Sequence, residues 1–241
     1  MMSFSLWSRR PIATANAATM LSGMAIIGLT TFLPMYVQGV LGQSPLVAGL
    51  TLTMVVLGWP IGATIAARNF ARFGLRAPLL FGAALLPVGA VAFVALGPGT
   101  SPVMAGLGSV VMGLGMGFLN TAAIVIIQDS VGWAERGAAT ASNIFSRNLG
   151  STLGAAALGA VLNLSLSHGG AGAAAVTSDQ IRQLLDRPGI VAADTAVRAA
   201  LGQAIHLTFW AVFLIAVLTF LLAILVPRVA MKREPQEVAA E

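Results

Sequence analysis

The sequence predicts an all-α membrane protein with six transmembrane helices, and three observations carry that prediction. Of the 241 residues, 57% are hydrophobic and 9% are charged, where a soluble domain carries about 25% charged residues. Mean hydropathy is +0.89. Six runs are apolar over at least the ~20 residues that a helix needs to cross the hydrocarbon core. None of them alternates polar and apolar residues between turn signals, which argues against a β-barrel.

The runs occupy residues 12–37, 46–67, 77–96, 102–127, 137–164 and 203–226. The first follows Arg9 and Arg10 and is too long for a signal-peptide core. A short uncharged link, Gly39 to Pro45, leads to the second. Arg68, Arg72 and Arg76 crowd the next connection, which has no acid. A tight neutral turn, Gly97 to Pro102, precedes the fourth run, and Asp129 to Arg136 carries mixed charge before the fifth. The long polar loop 165–202 contains Thr177-Ser178-Asp179-Gln180, a capping-box pattern before Ile181, Leu184 and Leu185. Asp194 is placed to cap a second short helix in that loop. The tail 227–241 is charged.

Basic residues orient the chain. With the N-terminus in the cytoplasm, Arg9, Arg10, Arg68, Arg72, Arg76, Arg136, Arg228, Lys232 and Arg233 lie inside. Arg182, Arg187 and Arg198 lie outside in the one long loop. Both termini are therefore expected inside, with the lipid bilayer as the principal partner. This distribution explains the net charge of +5 better than nucleic-acid binding does. Cysteine is absent and His168 and His206 stand far apart, so no metal site or cofactor is expected. No Asp or Glu falls in the middle of a run, and a membrane-embedded enzyme would show acids or His clustered at the membrane face.

Within the runs, three Gly-x-x-x-Gly pairs, Gly58/Gly62, Gly113/Gly117 and Gly150/Gly154, predict close helix packing. Pro34, Pro60 and Pro87 predict kinks, either hinges or static bends. Arg147, about ten residues into the fifth run, costs at least ~2.5–3.5 kcal/mol to insert. It reads either as a substrate or gating residue or as a structural Arg bonding helix C-terminal carbonyls. Asn143 at i−4, Gly150 at i+3 and Gly154 at i+7 share its face. Asn16, Asn120 and Gln128 are the amides of the first and fourth runs. Met112, Met116 and Asn120 share one face, either a soft wall for an apolar ligand or ordinary packing.

The stretch LPMYVQGVLGQSPLVAGL, residues 33–50, closely resembles a signature of the fourteen-span drug:proton antiporters of the major facilitator superfamily, the EmrB/QacA-type branch. Pro34, Gln38 and Gly42 are among the matched positions. Gly62 through Arg68, Arg72, Gly74 and Arg76 resembles the Gly- and Arg-rich loop of those transporters, without its acidic member. Arg136-Gly137-Ala138-Ala139, Arg147-Asn148-Leu149-Gly150 and Gly154-Ala155-Ala156 resemble the family's penultimate helix.

The resemblance covers the last six helices of the family. It implies the C-terminal half of a major facilitator fold, two inverted three-helix repeats. It further implies efflux of small lipophilic or cationic substrates by alternating access, driven by the proton gradient in the bacterial cytoplasmic membrane. The proton-coupling acid would lie in an N-terminal half, so the partner is such a half or a second copy of this chain. By helix position, Asn16, Met20, Met112, Met116 and Asn120 become substrate-lining candidates. Pro34, Gln38, Gly42, Arg68, Arg72, Arg76, Asn143, Arg147, Gly150 and Gly154 become gating or structural candidates. Met1-Met2 stands about ten residues before the first run, which leaves a truncated gene product and a true half-transporter both open. The rival function is a non-transporting regulator or an inactive half.

Overall fold

The computed structural model describes residues 7–97, 99–167 and 195–227. Six long helices fill them: α1 Arg10–Met35, α2 Pro45–Phe73, α3 Arg76–Val94, α4 Pro102–Asp129, α5 Arg136–Ser167 and α6 Thr195–Ile224. All six contain a stretch long and apolar enough to cross a membrane. A single 3₁₀ turn, Trp133–Glu135, leads into α5. The expected loop helix around Thr177, with Arg182 and Arg187, lies outside the described residues, as do Asp194 and the basic tail from Arg228, whereas the helix expected after Asp194 is continuous with α6 from Thr195.

Local chemistry sets the helix ends. Pro11, Pro45 and Pro102 fall in first turns, where a missing N–H costs nothing. Ser44 Oγ accepts from the Val47 N–H at 3.4 Å, and Ser101 Oγ accepts from Val103 N–H at 3.3 Å. Gly74, with φ 72°, closes α2 in a conformation that a side chain would strain. α6 starts two turns before its hydropathic run, because Arg198 lowers hydropathy without opposing helix.

Past Pro34 the first helix widens into a π-helical turn, Tyr36–Val40, where the Leu41 N–H donates to the Tyr36 carbonyl at 3.1 Å. Proline removes the N–H that Thr30 would have bonded, and the π register follows within two residues. The Pro34 kink predicted from sequence thus takes the form of a register change.

Helices 1–3 and 4–6 pack as inverted equivalents. α1 lies against α5 and α6 as α4 lies against α2 and α3, and α3 meets α6. This is the half-facilitator architecture of two three-helix repeats. Glycine makes each crossing close. A Cβ on Gly58 of α2 would stand 2.7 Å from the Val110 carbonyl oxygen of α4, and one on Gly117 of α4 would meet Trp59 and Ala63 of α2. In the equivalent crossing, Gly150 and Gly154 of α5 abut Met20 and Met24 of α1, while Gly23 of α1 abuts Arg147 of α5. Gly82 and Gly89 of α3 seat on Gly115 and Gly108 of α4. In lipid, dispersion contact between backbones replaces water exclusion as the source of association.

An aromatic knot joins α1, α3 and α6. The Phe209 ring lies 5.7 Å from Tyr36 and 5.7 Å from Phe93. It belongs to one continuous apolar core that also contains Leu29, Leu33, Leu86 and Ile205.

Candidate functional site

The α1–α5 crossing carries a buried polar ladder. Asn143 Nδ2 donates to Asn16 Oδ1 at 3.1 Å and to Thr19 Oγ1 at 2.9 Å. Asn16 Nδ2 and Trp7 Nε1 both donate to Ser142 Oγ, at 3.0 and 3.1 Å. Ser146 Oγ returns to the Ser142 carbonyl at 2.9 Å. Asn16, Thr19, Ser142, Asn143 and Ser146 are all buried. An amide in hydrocarbon costs several kcal/mol unless satisfied, and here each finds its partner on the facing helix. The structure therefore joins Asn16 and Asn143, two residues that sequence spacing alone leaves unrelated.

One turn beyond the ladder, Arg147 leaves α5 sideways. Its guanidinium carbon lies 5.7 Å from the centroid of Trp59 on α2, a cation–π contact worth about 0.5–2 kcal/mol. No hydrogen bond or ion pair links the Arg147 guanidinium to a described residue; the one ion pair among them joins Arg9 and Glu135 at 3.4 Å. Next to it, Asn148 is exposed on the flank of α5, with no side-chain partner among the described residues. Trp59 escaped the sequence reading. Its signal was a tryptophan at mid-span, away from the interfacial belts where that residue concentrates.

On α4, Met112 and Met116 are fully buried, and Met112 fills the space beside Gly89 of α3. Asn120 Nδ2 donates to the Met116 carbonyl at 3.0 Å, and its Oδ1 is buried with no partner. Met20 is half-buried at the α1–α5 crossing. Gln128 Nε2 donates to Thr140 Oγ1 at 2.9 Å, tying α4 to α5.

The arginines at the same end of the bundle as Arg9 divide by role. Arg76 Nη2 donates to the Ile224 carbonyl at 2.9 Å, satisfying the C-terminus of α6. Arg9 Nη1 donates to the Ser130 carbonyl at 2.9 Å, doing the same for α4. Arg68 and Arg72 are exposed on the last turns of α2, and Arg72 lies over the Phe73 ring at 5.2 Å. The helix-capping role open to Arg147 in the sequence is thus filled by Arg9 and Arg76. At the other end of α1, Gln38 is half-buried in the π turn, and Gly42 takes φ 66° beneath Arg198. Among the described residues no group of three metal-binding side chains gathers.

Residues 3–155 match the family described as Major Facilitator Superfamily. The chain is 27% identical over 158 residues to Multidrug transporter protein MdtP of Bacillus subtilis (strain 168), covering 66% of this chain and 29% of that protein. It is 30% identical over 159 residues to Multidrug resistance protein 3 of the same organism, covering 66% and 31%. To a triacylglyceride transporter of Mycolicibacterium smegmatis it is 31% identical over 163 residues, covering 63% and 29%. The chain spans under a third of the length of these relatives.

Proposed function

The chain belongs to the major facilitator superfamily, and from that premise we propose that it is the C-terminal six-helix half of a fourteen-span, EmrB/QacA-type drug:proton antiporter. It is a multi-pass membrane protein of a transporter family, which separates it from membrane enzymes. In our reading it sits in the bacterial cytoplasmic membrane with both termini inside. A second half, which carries the proton-coupling acid, completes the pathway for small lipophilic or cationic compounds.

One observation carries this reading. Asn148 stands exposed at the middle of α5, beside an Arg147 whose described partner is an aromatic face. Polar groups at that depth face a protein partner or a watery passage, not acyl chains. The flank of α2 repeats the pattern with exposed Thr53, Thr64 and Arg68. A second half covering α2 and α5 gives both flanks a polar neighbour.

Substrate then meets Met20, Arg147 and Trp59, with the buried, unpartnered Oδ1 of Asn120 behind them. Asn16, Met112 and Met116 hold the helices behind them, and Asn143, Gly150 and Gly154 fix the α1–α5 crossing. Arg68 and Arg72 act at the cytoplasmic gate, while Arg76 anchors α6. Pro34, Gln38 and Gly42 shape the opposite end of α1.

The test is ethidium efflux from energised cells. The chain alone should leave accumulation unchanged, and co-expression with an N-terminal half should lower it. Asn148→Leu should remove that gain. Absence of efflux in every pairing would favour a regulator or an inactive half.

A further inference from the structure

At the end of the bundle where α1 and α3 finish and α6 begins, a cavity of about 740 Å³ opens between the three helices. Its walls are largely apolar: Val40, Leu96, Leu207 and Trp210 line it. Leu207 and Trp210 are also 51% and 46% exposed, so the cavity opens sideways through the surface of the bundle.

Its polar groups have unmet needs. The Tyr36 side chain is 2% exposed, and its hydroxyl is buried without a partner. A phenol O–H needs an acceptor, and a buried one without it forfeits a hydrogen bond. Arg198 lines the same space, and its guanidinium lies above Gly42, where a Cβ would approach Nη1 to 3.3 Å. It makes no hydrogen bond or ion pair with a described residue. Among the described residues, no Asp or Glu lines the cavity. Tyr36 stands at the start of the π turn and Gly42 beyond its end, so the cation marks one level of the cavity and the phenol another.

We propose that this cavity binds an anionic acyl amphiphile. Its phosphate or carboxylate rests on Arg198, an ester or carbonyl oxygen accepts from the Tyr36 hydroxyl, and its chain runs along Val40, Leu96 and Trp210. A cavity of this size with few convergent polar groups is of ligand dimensions. The same chemistry is offered by an anionic phospholipid of the bilayer and by a free single-chain amphiphile. The inference rests on these side chains and not on the transport reading.

The whole chain in phosphatidylcholine nanodiscs provides the test, read as Trp210 fluorescence isolated by comparison with Trp210→Phe. Dibrominated phosphatidylglycerol should quench Trp210 about threefold more than dibrominated phosphatidylcholine at equal mole fraction, as expected where a charged hydrogen bond selects the head group. Dodecyl phosphate should relieve that quenching, whereas dodecyl maltoside should not. Arg198→Gln should abolish the preference, Arg198→Lys should keep part of it, and Tyr36→Phe should weaken it. If only dodecyl phosphate perturbs Trp210, the ligand is a free amphiphile; if phosphatidylglycerol quenches selectively, it is a bilayer lipid. Equal quenching by both bromolipids with no response to dodecyl phosphate overturns the proposal. So does a preference that survives Arg198→Gln in a protein whose circular dichroism and elution are unchanged.

Discussion

The guanidinium of Arg147 rests on the indole of Trp59 at 5.7 Å, joining α5 to α2, two helices whose main packing partners are α1 and α4 respectively. A cation at mid-span with no acid beside it is costly to keep in hydrocarbon. Arg147→Leu should therefore raise the thermal stability of the chain by about 1–3 kcal/mol, offset by the lost π contact. Under the proposed function, the same substitution should abolish the efflux gained by co-expression with an N-terminal half. A stability loss, read by thermal unfolding in detergent, would mean that Arg147 is bound more tightly than this contact alone allows.

Trp59 itself should respond by degree. Trp59→Phe keeps a weaker ring under the guanidinium, and Trp59→Leu removes it. The expected order of melting temperature is wild type, Phe, then Leu, spanning about 0.5–2 kcal/mol. In an Arg147→Leu background the Phe and Leu variants should converge, a double-mutant test of the pair.

The Asn16–Asn143 bond predicts coupling across the α1–α5 crossing. Each single change to Leu removes one bond in a buried site: Asn143 keeps Thr19 Oγ1, and Asn16 keeps Ser142 Oγ while its Oδ1 loses the Asn143 donor. Each should cost about 1–2 kcal/mol, and the double change should cost less than the sum. Strict additivity would show that the two amides do not share a bond in the bilayer.

Glycine substitutions should sort by geometry. Gly150→Ala pushes a methyl into the Met20 backbone and should cost about 1–3 kcal/mol. Gly159→Ala, on the same helix with open space around its Cβ position, should be neutral or stabilising by up to about 1 kcal/mol. Cysteine cross-linking between α1 and α5 should report a wider crossing in the first variant only.

Hydropathy made the six-helix class legible, because a run such as residues 102–127 has no soluble alternative. The Gly-x-x-x-Gly pairs were legible as packing seams, but their partners were not. Gly58/Gly62 meets a second glycine pair on α4, whereas Gly150/Gly154 meets Met20 and Met24. Spacing within a helix fixes a face but not the helix that covers it. For the same reason Asn16 and Asn143 could be named separately and not as a pair, and Arg147 could be flagged without Trp59. The π turn was hidden because Pro34 predicts a disturbance without specifying its form. Sidedness along α4 was also hidden: Met112, Met116 and Asn120 share a helical face, and contact with α3 decides that the Met112 side chain points inward.

The wider turn at Tyr36–Val40 also fixes angular phase. A π turn lodges one more residue than an α turn over the same stretch of axis, and each residue of an α-helix carries its side chain about 100° further round. Removing one residue from this stretch would therefore restore an ordinary α turn with nearly the same angular phase beyond it. Holding all its residues in α register would instead swing everything after it by that angle and carry Gly42 away from Arg198, although the span would insert as before. The widened turn thus absorbs one residue locally, and what the far end of the chain presents is kept independent of how the chain threads the bilayer.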